Sequence, residues 1–399
     1  MIYSLNFNAM GEGSLYSMDM NQKPLVTVLM TVYNGGDYLK ASVQSILNQT
    51  FKDFEFLIVN DCSTDDSVKT IESFNDKRII IHNNEKNIGQ TKSLNVGLKL
   101  AKGKYIARMD ADDMAFPPWL EKLSGFMSTN LEYDVVSSGA VVIDKNDNIK
   151  YFIDRLIDND EIMFTIFFHT PLNHVGSMMN KETILSIGGY NESFSIVQDY
   201  ELWSSLIRKG KKITSIADYL VAVRIHNQSL TGQKSNAQTL TEPARTIFEN
   251  IKCLTNLTIN YNEAINLRRL FDSFHVLSSD EFAQTIKIFT AIYNNLKINL
   301  NEGKIKDYIE PQIVNFYSKK ALHEIAHDDV QKGRETSKQC LRNYGFYLIP
   351  FAIYLSSFLG KRGVNEVTDI YYKILQMKTR YLLQTKYGSL NKLFNVGNE

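Results

Sequence analysis

The chain has 399 residues, and its 44 Lys plus Arg balance 44 Asp plus Glu, a net charge of zero that gives no support to nucleic acid as the main partner. That length exceeds the size at which single cores stop growing, so one large domain with an appendage, or two domains, is expected. The three cysteines, Cys62, Cys253 and Cys340, lie far apart in no metal-ligand spacing, which suits a reducing compartment better than a disulfide framework.

Residues 1–23 lack a basic start and a continuous apolar core, and read as a weakly ordered leader rather than a secretory signal. From Pro24 to about Ser138, strand-like runs alternate with helix-length stretches. The strands fall at Leu25 to Val32, Phe54 to Asn60, Arg78 to His82, Tyr105 to Met109 and Asp134 to Ser138. The helices fall near Tyr38 to Asn48, Asp65 to Phe74, Thr91 to Ala101 and Pro118 to Met127. Near-continuous apolar strands are expected when both faces of a sheet are covered. The alternation therefore predicts an α/β fold with a mostly parallel, Rossmann-like sheet and right-handed crossovers, whose ligand site lies at the carboxyl ends of the strands.

Polar residues gather at those ends. The first strand runs into Thr31-Val-Tyr33-Asn34-Gly-Gly and the second into Asn60-Asp61-Cys-Ser-Thr-Asp65-Asp66. The third leads to Asn83-Asn84-Glu-Lys-Asn87-Ile-Gly89-Gln-Thr-Lys92, and the fourth ends in Arg108-Met-Asp110-Ala-Asp112-Asp113. Such residues also serve turns and caps for local reasons, and Ser63 to Asp66 is expected to cap a helix whatever the function. Thr31 and Asp61 suit a planar, donor-rich group such as a nucleobase, and Lys92 and Arg108 suit phosphates. Lys92 fits a solvated helix face equally well. Asp110 and Asp112 could both reach one Mg²⁺ or Mn²⁺ if the backbone turns between them, because such cations take a few carboxylates and complete their shell with water and substrate phosphates. Asp113, ahead of Pro117-Pro-Trp-Leu, reads as a helix cap.

Further along, Asp199 precedes a helix-like Tyr200 to Arg208, and spacing alone makes it an N-cap. His169 and His174 flank Thr170-Pro-Leu-Asn173, an expected acceptor-side loop, and one of them is expected to face the cleft. His226 follows a strand-like Tyr219 to Val223, and an isolated histidine is more often structural than a ligand. Beyond Ala237 the stretches Thr241 to Leu254, Tyr261 to Leu277 and Asp280 to Leu296 predict a helical appendage. Residues 343–360 carry no charge and are rich in aromatics, with Arg342, Lys361 and Arg362 flanking them. Pro350 and several polar residues favour a core or interfacial helix pair over a membrane span, with peripheral membrane contact as the second reading.

Taken together, these segments resemble the nucleotide-sugar-dependent glycosyltransferases of family two, which have the GT-A fold. The resemblance rests on Val26-Thr-Val-Leu-Met-Thr-Val-Tyr-Asn34, Ile58-Val-Asn-Asp-Cys-Ser-Thr-Asp65, Asn87-Ile-Gly89 with Asn95 and Gly97, Gly103 to Asp113, Gly188-Gly-Tyr-Asn191 and Val197-Gln-Asp-Tyr-Glu-Leu-Trp203, and it covers about residues 24 to 232. It implies that Thr31 and Asp61 contact a uracil-type base, that Asp110 meets ribose or metal, and that Tyr33, Lys92 and Arg224 join the donor contacts. Asp112 and His226 would hold Mn²⁺ or Mg²⁺, and Asp199 would be the general base. Two positions depart from the family pattern: Asn60 stands where many members have aspartate, and Gln198 where many have glutamate.

The activity so implied is a metal-dependent, inverting transfer from a nucleotide-sugar donor, expected to be a UDP-sugar, to a glycan or lipid-linked glycan acceptor in bacterial surface polysaccharide synthesis. The expected setting is the cytoplasm, at the inner face of the plasma membrane if residues 343–360 touch it. The expected organisation is a leader (1–23), a GT-A catalytic domain (24–236) and a helical region (237–399) that associates with membrane or with other copies. A sugar nucleotidyltransferase would want a basic residue in the glycine loop after the first strand, and Asn34-Gly-Gly-Asp37 has none. A catalytically silent binding module is disfavoured because both Asp112 and Asp199 are present.

Overall fold

The computed structural model describes residues 23–153, 158–226, 238–271, 277–296, 302–327 and 329–344, with Pro350, Ile353, Tyr354, Ser357 and Val364. Its strands are β1 (Val26–Val32), β2 (Phe54–Asn60), β3 (Ile79–Asn83), β4 (Tyr105–Asp110), β5 (Met114–Ala115), β6 (Val135–Ile143), β7 (Ile149–Ile153), β8 (Met178–Asn180) and β9 (Ile213–Arg224). Helices α1 (Leu39–Leu47), α2 (Ser67–Glu72), α3 (Gln90–Leu100), α4 (Trp119–Thr129), α5 (Asn159–Thr165), α6 (Lys181–Ser186) and α7 (Gln198–Arg208) fall between them. After β9 come α8 (Gln238–Leu254), α9 (Tyr261–Phe271), α10 (Ser279–Leu296), α11 (Glu302–Ala326) and α12 (Val330–Tyr344).

One sheet runs β3-β2-β1-β4-β8-β6-β9-β5, with β7 paired to β6. The first four strands in that order are mutually parallel, as are β6 and β9, while β8, β5 and β7 pair antiparallel. This is the mostly parallel α/β sheet flanked by helices that the pattern predicts. Every residue of β1 and β2 is buried. Alternate residues supply opposite faces: Leu29, Leu57 and Ile106 pack with Leu94 and Leu98 of α3 and Trp203 of α7, while Met30, Ile58 and Met109 pack with Val43 and Ile46 of α1 and Trp119 of α4. Each such side chain contributes roughly 1.5–3 kcal/mol by leaving water.

Helix α3 lies close against β1 because Gly97 faces it: a Cβ there would stand 2.3 Å from Leu29 Cδ1. At the entry to β4, a Cβ on Gly103 would come within 2.4 Å of the Thr27 backbone nitrogen, so strand entry requires glycine. The helices after β9 share their core with the sheet layer. Phe168 stacks on Phe271 of α9 at 5.3 Å and approaches Phe289 of α10 at 4.7 Å, and Phe271 meets Phe316 of α11 edge-on at 4.9 Å.

β9 is longer than the apolar run Tyr219 to Val223 suggests, because the strand begins at Ile213 and its buried Thr214 and Ser215 pair with Val136 and Ser137 of β6. Their hydroxyls conceal a core strand from a hydrophobic pattern. The leader, apart from Lys23, and most of residues 343–360 lie outside the described residues. Among the described residues no helix is long and apolar enough to cross a membrane.

Candidate active site

A cleft of about 1080 Å³ opens at the carboxyl ends of β1, β2 and β4, and Thr31, Tyr33, Asp61, Asp110, Asp112 and His226 all line it. That volume is at the upper end for small-molecule sites and suits an extended ligand. The parallel register places Thr31 directly beside Asp110.

The loops on the cleft floor are stitched together by side chains. Asp61, 3% exposed, accepts the Asn84 amide at 2.8 Å and the Ile88 N–H at 2.9 Å on Oδ1, and the Gly89 N–H at 2.8 Å on Oδ2. Gly89 starts α3 with φ of 87°, a left-handed conformation that favours glycine. The Asn34 side chain accepts from the Thr64 N–H at 2.8 Å, and its own N–H donates to Ser63 Oγ at 3.0 Å, tying the β1 loop to the β2 loop. Asp65 accepts from the Ser67 N–H and hydroxyl, so the Asp-rich segment does brace the start of α2.

At the end of β4 the carboxylates take different environments. Asp110 is ion-paired with the fully buried Arg108, whose guanidinium also donates to the Met109 carbonyl. Asp110 further accepts from Gln90 at 3.1 Å, and Gln90 accepts from Gln198 at 3.0 Å, a relay that joins this strand to the start of α7. Asp112 lies 3.0 Å from His226 Nε2. Burial first, then the neighbouring charge of Asp110, raises the Asp112 pKa, while the His226 bond opposes the shift. A carboxylate and an imidazole side by side could serve a divalent cation as two protein ligands, leaving its other positions to ligand oxygens and water.

The family model described as Glycosyl transferase family 2 matches residues 27–187. The chain is 41% identical over 212 residues to an uncharacterized glycosyltransferase of Methanocaldococcus jannaschii, covering 52% of this chain and 72% of that protein. It is 31% identical over 281 residues to an uncharacterized glycosyltransferase of Haemophilus influenzae, covering 67% and 85% respectively. The chain belongs to glycosyltransferase family 2. This glycosyltransferase is also similar to the Escherichia coli UDP-Glc:alpha-D-GlcNAc-diphosphoundecaprenol beta-1,3-glucosyltransferase WfaP, at 31% identity over 221 residues, 53% of this chain and 81% of WfaP.

Several residues of the glycosyltransferase sit otherwise than the sequence suggests. Arg108 is enclosed against Asp110 and cannot face phosphates. Arg224, 4% exposed, is likewise committed: its N–H donates to Asp113, its Nε to the Asp112 carbonyl and its Nη1 to the Asp144 carbonyl and Asp147, with the guanidinium 4.4 Å from the Tyr38 ring centroid. It braces the acidic turn and is absent from the cleft wall. Lys92 is exposed on α3, off the cleft, as a solvated helix residue. Asp113 caps nothing: α4 has Pro118 at its N-cap position with no side-chain bond, and Asp113 is buried against the Arg224 N–H with its pKa driven well up by desolvation.

Asp199 lies in the first turn of α7, behind Val197 at the N-cap position, so it is not the cap either. The cleft wall includes Ser195 but not Asp199, four residues further along the chain. Neither histidine of the 169–174 loop lines the cleft: His174 bonds the Tyr190 hydroxyl at 2.7 Å near Trp203, and His169 meets Phe271 edge-on. Burial, aided by Arg108, holds the His174 pKa well below its usual value. Cleft residues that the motifs do not reveal are Tyr38, Gln90, Asp144 and Lys145. The last two sit in the β6–β7 turn, where the only sequence signal is turn-forming Asp and Asn. Lys145 is the only lysine or arginine on the cleft wall among the described residues.

Proposed function

We propose that this glycosyltransferase transfers a sugar from a UDP-sugar, in the presence of Mn²⁺ or Mg²⁺ and with inversion, to a glycan or lipid-linked glycan acceptor of a bacterial surface polysaccharide. The observation that carries the reading is the Asp112–His226 pair at 3.0 Å on the same cleft as Thr31 and Asp61. Similarity to WfaP, whose name gives UDP-Glc as donor and a diphosphoundecaprenol-linked acceptor, supports the donor and acceptor classes.

In this reading Thr31 and the remaining lone pair of Asp61 Oδ2 hold the base edge, Tyr33 flanks it, and Asp110 meets the ribose. Asp112 and His226 hold the cation, which when bound supplies Lewis-acid stabilisation of the departing diphosphate. Lys145 takes the diphosphate-facing part that Lys92 and Arg224 leave empty. Asp199 accepts the proton of the acceptor hydroxyl as its oxygen attacks the anomeric carbon and the bond to diphosphate breaks. Residues 24–236 form the catalytic unit and 237–399 the helical region, in a cytoplasmic setting at the inner face of the plasma membrane.

A screen of nucleotide sugars with Mn²⁺, read as nucleotide release and calorimetric binding, should single out UDP donors; preference for GDP would overturn the base assignment. Asp199→Asn should lose transfer while UDP binding with Mn²⁺ stays within about twofold. Asp112→Ala should remove the Mn²⁺-dependent part of UDP affinity, and an unchanged titration would contradict the ligand role.

A further inference from the structure

The first N–H groups of α7 need acceptors from outside the helix, and Val197 at the N-cap position has no side-chain oxygen to offer. Immediately ahead of that first turn, a carboxylate from α8 accepts the N–H groups of residues 195–197. Glu242, 9% exposed, takes the Ser195 N–H at 3.0 Å and hydroxyl at 2.8 Å on Oε1, and the Ile196 and Val197 N–H groups at 2.9 and 3.3 Å on Oε2. A carboxylate so placed gains charge-assisted bonds and lies at the positive end of the helix dipole.

The same seam continues along α8 at one-turn intervals. Thr246 donates to Glu201 at 2.9 Å, and Asn250 donates to Ser204 at 2.9 Å and accepts from Arg208 at 2.6 Å. Thr246 and Asn250 are fully buried. Apolar faces tolerate a slide of one turn, whereas a slide here would strand Glu242, Thr246 and Asn250 together, so the seam fixes the register of α8 on α7.

We propose that Glu242 is a positioning residue for sugar transfer: from the helical region it clamps residues 195–197 and so sets Asp199 against the cleft. This rests on the reading of Asp199 as the base. The clamp works with the Gln198–Gln90–Asp110 relay, which holds the same turn from the donor side. Ser195, the residue Glu242 grips hardest, is itself part of the cleft wall.

The test uses the full chain with Glu242→Gln, which keeps the shape but turns an amide toward backbone donors, and Thr246→Val, which damages the seam one turn away. Hydrogen exchange and Mn²⁺-dependent UDP release from UDP-glucose, or from the donor the screen identifies, are measured on both. In Glu242→Gln the amides of residues 195–197 should exchange at least about tenfold faster with β1 and β4 amides unchanged. Its kcat should fall about tenfold with donor KM within about twofold. Thr246→Val should lower the melting temperature comparably yet keep kcat within about twofold. Unchanged exchange at 195–197, equal kcat losses in the two variants, or a donor KM rising in step with the kcat loss would overturn the proposal. A fully active Asp199→Asn would remove the base reading instead, whereas an inactive Asp199→Asn beside a fully active Glu242→Gln would remove only the clamp.

Discussion

Replacing Asp61 by alanine tests whether this carboxylate is chiefly a base contact or also the pin of the loop before α3. Three bonds of 2.8–2.9 Å are lost, from Asn84, Ile88 and Gly89. Hydrogen bonds to charged groups are worth roughly 1.5–3 kcal/mol each, but the freed donors are only half-buried, so water recovers part of that and about 1 kcal/mol apiece is the better figure. The total is about 3 kcal/mol, which lowers the melting temperature by roughly 6–12 °C at the 2–4 °C per kcal/mol typical of large domains. Losing the base contact and the ordered loop together should weaken UDP binding by about 30- to 100-fold. Asp61→Asn keeps Oδ1 and disturbs chiefly the Gly89 bond, so it should cost about a third as much. Calorimetric titration of UDP with Mn²⁺ and thermal denaturation measure both quantities. Weakened binding with an unchanged melting temperature would refute the pin, and an asparagine variant as unstable as the alanine one would refute the atom-by-atom accounting.

Gly103→Ala should destabilise by about 3 kcal/mol or more in urea, because the new methyl meets the backbone of Val26 and Thr27 rather than a side chain that can turn away. The depressed His174 pKa means that below about pH 6.5 the unfolded chain binds a proton the folded chain refuses. Stability is therefore full above that pH and falls as pH drops, by up to about 1.4 kcal/mol per unit until the folded pKa is reached; His174→Gln should flatten that slope in urea titrations at pH 5 to 7. The Cys340 thiol is pushed up to about 11 by burial, so iodoacetamide at pH 8 should label exposed Cys253 and spare Cys340 until the protein unfolds.

The sheet was legible because β1, β2 and β4 are buried on both faces and read as unbroken apolar runs: β2 begins and ends where the pattern places it, and β1, β4 and the partly exposed β3 differ by a residue. The β5 and β8 pairings, of two and three residues, are too short to carry a period. The carboxylates and Thr31 were found on the cleft because strand ends locate them. Arg108 and Arg224 were misplaced because a sequence displays charge but not burial, and both spend their charge inside the protein, whereas Lys92 takes the solvated helix face that its sequence allowed equally. Glu242 was invisible for a related reason: nothing in Thr241-Glu-Pro-Ala shows that its carboxylate serves a helix forty residues earlier in the chain.

The phenylalanine seam across Phe168, Phe271, Phe289 and Phe316 bears on how the family can vary. Rings that interlock, stacked on one side and edge to face on the other, leave little slack, so a substitution at Phe168 needs an answering change in α9, α10 or α11. The helical region is thus no interchangeable accessory: grafting it from one relative onto another succeeds only when both halves of the seam travel together, and a chain shortened after β9 would present those aromatic faces to water.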